Sequence, residues 1–110
     1  MSPADSPLIS VNDARLHAGA RFTLTRTADH GDRAEYAVLV ETVDARYTGH
    51  AALVEDGTAT VESPGLSQEH LATLQMIAKL VARSAPKKRE DGLPPWPQRV
   101  SRWRGPGRGE

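Results

Sequence analysis

The segment that most restricts the fold of this chain is residues 34–43, which predicts a strand with two apolar faces. One face carries Tyr36, Val38 and Val40, and the other carries Ala37, Leu39 and Val43. A strand that is apolar on both faces usually lies inside a sheet and is covered on both sides. We therefore expect a central strand, with a helix against one face and another element against the second.

Alternating apolar residues predict a neighbouring strand before this segment and a hairpin after it. Phe22 and Leu24 alternate with threonines, which is the two-residue period of a strand. Residues 47–55 and 58–62 flank Asp56-Gly57, a dipeptide that suits a two-residue type I′ turn because both central positions need positive φ. The sequence thus predicts an antiparallel, meander-like sheet of about four strands over residues 21–62.

The type I′ turn also predicts the register of the hairpin. Val54 should lie opposite Ala59, and Ala52 should lie opposite Val61. These four residues would then share one face of the sheet, and the reverse face would carry Leu53, Ala51 and Tyr47.

A single amphipathic helix is predicted over residues 67–84, packed on one face of the sheet. Ser67 is a good N-cap residue, and Leu66 and Leu71 are spaced as a hydrophobic staple. An apolar stripe at helical spacing follows, widened by Leu80: Leu71, Leu74, Ile77, Ala78 and Val81. Pro86 disfavours helical geometry at the residue before it, so the helix should stop near Ser84.

Residues 93–104 contain both tryptophans of the chain. Pro97 suits the first position of a helix, and a helical turn after it would place Trp96, Val100 and Trp103 on one face. So short a helix is not stable alone and needs a surface to lie on. That surface is the protein's own domain, a partner protein or a nucleic acid.

These patterns divide the chain into five parts. Residues 1–7 should be a disordered lead-in, 8–85 a single α+β domain, 86–92 a linker, 93–104 a Trp- and Arg-containing docking segment and 105–110 a disordered tail. Within the domain, residues 8–11 can pair as an edge strand. Residues 12–18 fit either a short helix or a hairpin turn.

The zero net charge of the 110 residues hides an asymmetry. Residues 1–78 carry five basic and eleven acidic residues, a net charge of −6, whereas residues 79–110 carry nine basic and three acidic residues, a net charge of +6. A basic end on an acidic body either contacts polyanions or folds back on the body. In the second case its arginines would pair with the body's carboxylates.

Motifs that would indicate catalysis or a cofactor are missing. Zero cysteines exclude disulfides, thiolate nucleophiles and cysteine-ligated zinc. The four histidines do not have metal-ligand spacing, and the acidic loop at residues 29–32 lacks the further ligands of a calcium site. We expect no catalytic residue, no cofactor and no metal. A pocket enclosing two or more of Glu35, Glu41, Tyr47 and His50 would instead indicate an enzyme.

The sequence therefore favours a small, non-enzymatic protein-binding or adaptor module. It would act on a protein partner or by self-association, through the residues Trp96, Arg99, Val100, Arg102, Trp103 and Arg104. The alternative is a nucleic-acid-associated protein that uses its basic residues 87–108. No apolar stretch is long enough to cross a membrane and the N-terminus does not resemble a secretory signal, so a cytoplasmic location is expected.

Overall fold

A computed structural model describes residues 19–104 of the protein as one antiparallel sheet of five strands and one helix. The elements are β1 (Ala20–Asp29), β2 (Arg33–Glu41), β3 (Arg46–Val54), β4 (Ala59–Glu62), α1 (Gln68–Glu90) and β5 (Arg99–Arg104). The strand order is β4-β3-β2-β1-β5. The predicted α+β fold, with the helix following four meander strands, is confirmed. The predictions for residues 1–7, 8–11, 12–18 and 105–110 lie outside the described residues.

The core lies between the sheet and α1. Alternation in each strand sends the apolar residues to the helix side, as the two-residue period requires. The large side chains that are fully buried in this core are Trp96, Tyr36, Phe22, Leu24, Leu53, Leu74 and Val40. β2 is the central strand and lies between β1 and β3.

The opposite face of the sheet differs from the sequence-based expectation. The one helix of residues 19–104 packs on the other face, so no second helix supplies the expected cover there. Leu39 on this face is only half-buried and Ala37 is exposed. Their cross-strand neighbours are polar, as in Thr23, Thr48, Thr25 and His50. Antiparallel sheets commonly leave such a polar face to water, although Thr23 on this face is only 6% exposed.

The predicted register of the β3–β4 hairpin is wrong by one residue. Leu53 lies opposite Ala59, and Ala51 lies opposite Val61. The loop contains three residues instead of two, because the Gly57 N–H bonds to the Val54 carbonyl and Gly57 then adopts a φ of +98°. This is a type I turn followed by a glycine bulge. The one-residue shift places Ala59 and Val61 on the same face as Leu53 and Ala51, which is the core face, whereas Val54 and Ala52 lie on the outer face.

The helix begins as predicted but ends later. The Ser67 side chain accepts a hydrogen bond from the His70 N–H, which confirms the N-cap. The helix continues through Pro86 to Glu90, so the predicted end at Ser84 is wrong and residues 86–90 are helical instead of a linker. Ala85, directly before the proline, is fully buried in the hydrophobic core, which favours continuation of the helix through this position. Leu80, assigned to the apolar stripe from sequence, is 49% exposed.

A glycine-based cap closes the extended helix. Gly92 has a φ of +77°, and its N–H bonds to the Arg89 carbonyl. The Leu93 N–H bonds to the Lys88 carbonyl. These two bonds form a Schellman motif, which satisfies carbonyl groups that the helix leaves without partners.

The helical interpretation of the segment after Pro97 is wrong, because residues 99–104 form strand β5. β5 pairs antiparallel with β1, and Val100 lies opposite Leu24. Alternation then places Val100 on the helix side and Trp103 on the outer face, so the two residues do not share a face. The edge of β1 supplies backbone partners along the whole segment, and this outweighs a weak local preference for helix.

Candidate partner-binding groove

Hydrogen bonds from three side chains help to hold the chain that leads into β5. The Trp96 indole Nε1–H donates to the Gly31 carbonyl at 2.9 Å. The Arg26 guanidinium donates to the Trp96 carbonyl at 2.7 Å, and the Tyr36 hydroxyl donates to the Pro97 carbonyl at 2.8 Å. Trp96 itself is fully buried. The indole therefore anchors the C-terminal segment on its own domain.

Burial also fixes the protonation state of Tyr36. Loss of solvent raises the pKa of its hydroxyl to about 12, with the charge of Arg26 opposing the shift and that of Asp29 adding to it. The hydroxyl therefore stays a hydrogen-bond donor to Pro97 throughout the neutral pH range.

Arg89 connects the C-terminal end of α1 to Gly31, the residue that also binds the Trp96 indole. Its guanidinium donates to the Gly31 carbonyl at 2.7 Å and to the Glu55 carboxylate at 2.6 Å. The C-terminal end of α1, the β1–β2 turn and the β3–β4 turn are thereby joined. These contacts fix the helix position relative to the sheet.

The position of α1 leaves a groove beside β5. The main sheet contacts of α1 are with β3 and β4, at the far end of the sheet from β5. A cavity of about 320 Å³ opens between the helix and β5. Its apolar lining comes from Ile77, Leu80, Val81, Pro97 and Val100, and its polar lining from Ser84, Lys88, Arg99, Arg102 and Arg104. We call this surface the α1/β5 groove.

The groove is cationic. Among residues 19–104, the ion pairs with Asp or Glu that involve arginine or lysine are formed by Arg46, Lys87 and Arg89. The three arginines of β5 are within 4.0 Å of no carboxylate in that part of the chain. The expectation that they pair with the acids of the body is therefore wrong for the described residues. Within residues 19–104, the positive charge of these groove-lining arginines therefore has no carboxylate close enough to form an ion pair.

The structure brings together some of the predicted binding residues and separates others. Arg99, Val100, Arg102 and Arg104 all line the α1/β5 groove. Trp96 is fully buried and does not line the groove, and Trp103 lines a different cavity of about 250 Å³ with Gly19, Arg21, Glu41, Thr42 and Val43. The helical side of the groove was missed from sequence. Its signal was Leu80, which lies beside the buried stripe of α1 and is not part of it.

The residues considered for catalysis or metal binding are not brought together. Tyr47 lies on the helix side of the sheet, whereas Glu35, Glu41 and His50 lie on the outer face. In the acidic turn, His30 Nε2 contacts Glu35 Oε2 at 2.8 Å, and Asp29 accepts a hydrogen bond from the Gly31 N–H. No group of three His, Asp or Glu residues within 19–104 is arranged to hold a metal ion.

Comparison of the chain with protein family models, curated proteins and solved structures found no match. Among the described residues, α1 is too polar to form a transmembrane span.

Proposed function

We propose that the protein is a non-enzymatic protein-binding module that holds an acidic segment of a partner protein in the α1/β5 groove. One observation carries the proposal. An apolar floor that includes Ile77, Val81 and Val100 is bordered by four cations, and none of the three arginines among them has a carboxylate partner within residues 19–104.

Each part of the groove suits a polypeptide ligand. Burying apolar side chains on the floor supplies affinity in proportion to the area removed from water. The arginines supply charge-assisted hydrogen bonds to carboxylates and are typical residues of binding hot spots. Electrostatic complementarity then speeds association and rejects basic partners.

The rival function is nucleic-acid binding through the same cations. Lys88, Arg99, Arg102 and Arg104 could neutralise phosphates. However, an apolar floor offers nothing to a phosphate backbone, and Trp103 lies on the other side of the sheet, where it cannot stack on a base held in the groove. The residue 1–78 body, with its net charge of −6, also repels a long polyanion.

The test is a titration of the isotope-labelled full chain, followed by amide NMR, with three probes. The first is the extended acidic peptide acetyl-TETETVT-amide, the second is the helix-forming acidic peptide acetyl-EELAEELAEELA-amide, and the third is a single-stranded oligonucleotide. We expect at least one acidic peptide to shift the amide signals of residues 77–88 and 99–104. Binding of the oligonucleotide alone, or of none of the three, overturns the proposal.

A matched pair of variants locates the site. Leu80 and Met76 lie one helical turn apart and are 49% and 47% exposed, but only Leu80 lines the α1/β5 groove. Leu80→Asp introduces a carboxylate beside the bound acids and should weaken peptide binding by about tenfold. Met76→Asp should change it by less than about threefold. Equal effects of the two variants would place the peptide elsewhere.

A further inference from the structure

We infer that the bound segment is extended and adds to β5 as the sixth strand of the sheet. This inference rests on the proposed function and specifies its binding mode. β5 is the last strand at its end of the sheet, and no strand of residues 19–104 lies beyond it. A strand edge presents a row of backbone donors and acceptors that another chain can pair with.

The β1–β5 pairing shows which backbone groups face the open side. The Arg26 N–H donates to the Gln98 carbonyl at 2.9 Å, and paired residues in an antiparallel ladder bond at every second position. The register therefore directs the backbone groups of Val100, Arg102 and Arg104 towards β1. Those of Arg99, Ser101 and Trp103 point away from the sheet.

Two of the outward carbonyls are covered by arginine side chains of the same strand. The Arg102 guanidinium donates to the Ser101 carbonyl at 2.9 Å, and the Arg104 guanidinium donates to the Trp103 carbonyl at 3.0 Å. Both bonds are exposed or only partly buried and join adjacent residues, so an incoming backbone N–H can replace them. The displaced guanidinium groups then need new acceptors, which carboxylates on the incoming strand provide. Backbone pairing and recognition of acids are thereby coupled.

The side chains of β5 define the sequence that the incoming strand should carry. On the helix side β5 presents Val100, Arg102 and Arg104 in that order. Antiparallel strands pair slightly more favourably than parallel ones, so we take the added strand as antiparallel. Read from its N-terminus, it should place an acid, a second acid and then an apolar residue at alternate positions. The extended probe TETETVT has this pattern.

Charge and edge geometry argue against two other arrangements. These are a second copy of β5 as the added strand, and addition of a strand to the opposite edge of the sheet. A second copy of β5 would set arginines opposite arginines, and directly opposed like charges destabilise a strand pair. The other edge of the sheet is β4, which has four residues, is packed against α1 and has its Ala59 carbonyl bonded to the Gln75 side chain. An acidic strand on β5 is the combination that the charges favour.

The decisive experiment uses two N-methylated isomers of the TETETVT peptide with the full chain. One isomer carries methyl groups on the alternate nitrogens that would face β5, and the other carries them on the nitrogens that would face solvent. Both keep the charges and the side chains. The first isomer should bind at least about tenfold more weakly than the parent, because two or more hydrogen bonds of about 1 kcal/mol are lost. The second should stay within about threefold.

Amide hydrogen exchange supplies an independent readout on the protein. Binding should slow exchange at Arg99, Ser101 and Trp103, whose N–H groups face the open edge. The amides of Val100, Arg102 and Arg104 already bond to β1 and should change much less. Equal affinity of the two isomers, or unchanged exchange at the three outward amides, overturns strand addition. The protein-binding function would survive that result if either acidic peptide still bound in the groove, and would fail if neither bound.

Discussion

The indole N–H of Trp96 donates a hydrogen bond to the Gly31 carbonyl, 65 residues earlier in the chain. The same oxygen accepts a hydrogen bond from Arg89, which is compatible because a carbonyl has two lone pairs. One backbone oxygen of the β1–β2 turn therefore joins the end of α1 to the segment that precedes β5. Docking of the last strand and closure of the helix against the sheet are coupled through it.

Replacing Trp96 should lower stability more than replacing Trp103. Trp96→Phe removes the bond to Gly31 and part of a fully buried ring, so the free energy of unfolding should fall by about 2–3 kcal/mol. Trp103 is half-buried and lies on the outer face, so Trp103→Phe should cost less than about 1 kcal/mol. Urea unfolding followed by circular dichroism measures both. Equal losses would contradict the anchoring role of Trp96.

The Arg89–Glu55 ion pair should contribute a small coupling energy. The two side chains are 47% and 31% exposed, so water and salt screen their attraction. A double-mutant cycle with Arg89→Ala and Glu55→Ala should give about 0.5–1 kcal/mol, decreasing at high salt. The single change Arg89→Ala should cost more than Glu55→Ala, because it also removes the bond to Gly31. A coupling energy near zero would show that the two side chains lie close together without stabilising the fold through their interaction.

Pro86→Ala should stabilise the protein. Pro86 is exposed within α1 and cannot donate the hydrogen bond that a helix interior expects. Alanine restores the donor, while the less restricted unfolded chain offsets part of the gain, which leaves about 1–2 kcal/mol. Thermal unfolding measures the change.

The control for this substitution is Ser84→Ala at another exposed position of the same helix. Ser84 already has its N–H, so alanine should add only a few tenths of a kcal/mol. If Pro86→Ala gained no more than Ser84→Ala, or lost stability, the proline would not be strained by its helical position.

The Tyr36 hydroxyl should make stability fall at high pH. Its pKa is raised from 10.0 to about 12 in the folded protein, so the stabilisation of the neutral form is complete below pH 10. Between these values the unfolded chain releases the proton while the folded chain keeps it. The free energy of unfolding should therefore decline by roughly 1.4 kcal/mol per pH unit from this group, and the decline should stop as pH passes the folded pKa.

Tyr36→Phe isolates this effect from the titration of lysines and arginines. At neutral pH the variant should be about 1 kcal/mol less stable, because the bond to Pro97 is lost. Above pH 10 the difference between the two proteins should shrink and then reverse in sign before pH 12, because the decline from the tyrosine exceeds its advantage of about 1 kcal/mol. A constant difference up to pH 12 would mean that Tyr36 ionises equally easily in both states. Chemical unfolding at a series of pH values provides the comparison.

The sequence was sufficient where local patterns decide the structure. Alternation around Phe22 and Val38, the Ser67 cap and the apolar stripe of α1 each specify one element with little help from the rest of the chain. The α+β fold follows from these elements. The hairpin register does not follow from local patterns, because Asp56-Gly57 suits both a two-residue turn and a three-residue loop with a glycine bulge. That choice depends on which side of β3 faces the helix.

The site was only partly predictable. Arg99, Val100, Arg102 and Arg104 were identified from charge and hydrophobicity, but their segment was assigned to a helix. Its strand conformation depends on the open edge of β1, a long-range partner that no local pattern reveals. The groove depends in addition on where α1 lies over the sheet, and this offset comes from tertiary packing alone.

The pairing of β5 with β1 joins the last described strand of the chain to the first. During synthesis from the N-terminus, β1 through β4 and α1 leave the ribosome before the residues that complete the sheet. Until then, among residues 19–104, β1 is the edge strand at that end of the sheet, and it carries Phe22 and Leu24 on its inner face. The nascent chain thus exposes the unpaired edge of β1 until Arg104 has left the ribosome. A chain truncated before β5 would keep this edge exposed, and would therefore be prone to aggregation or to chaperone binding.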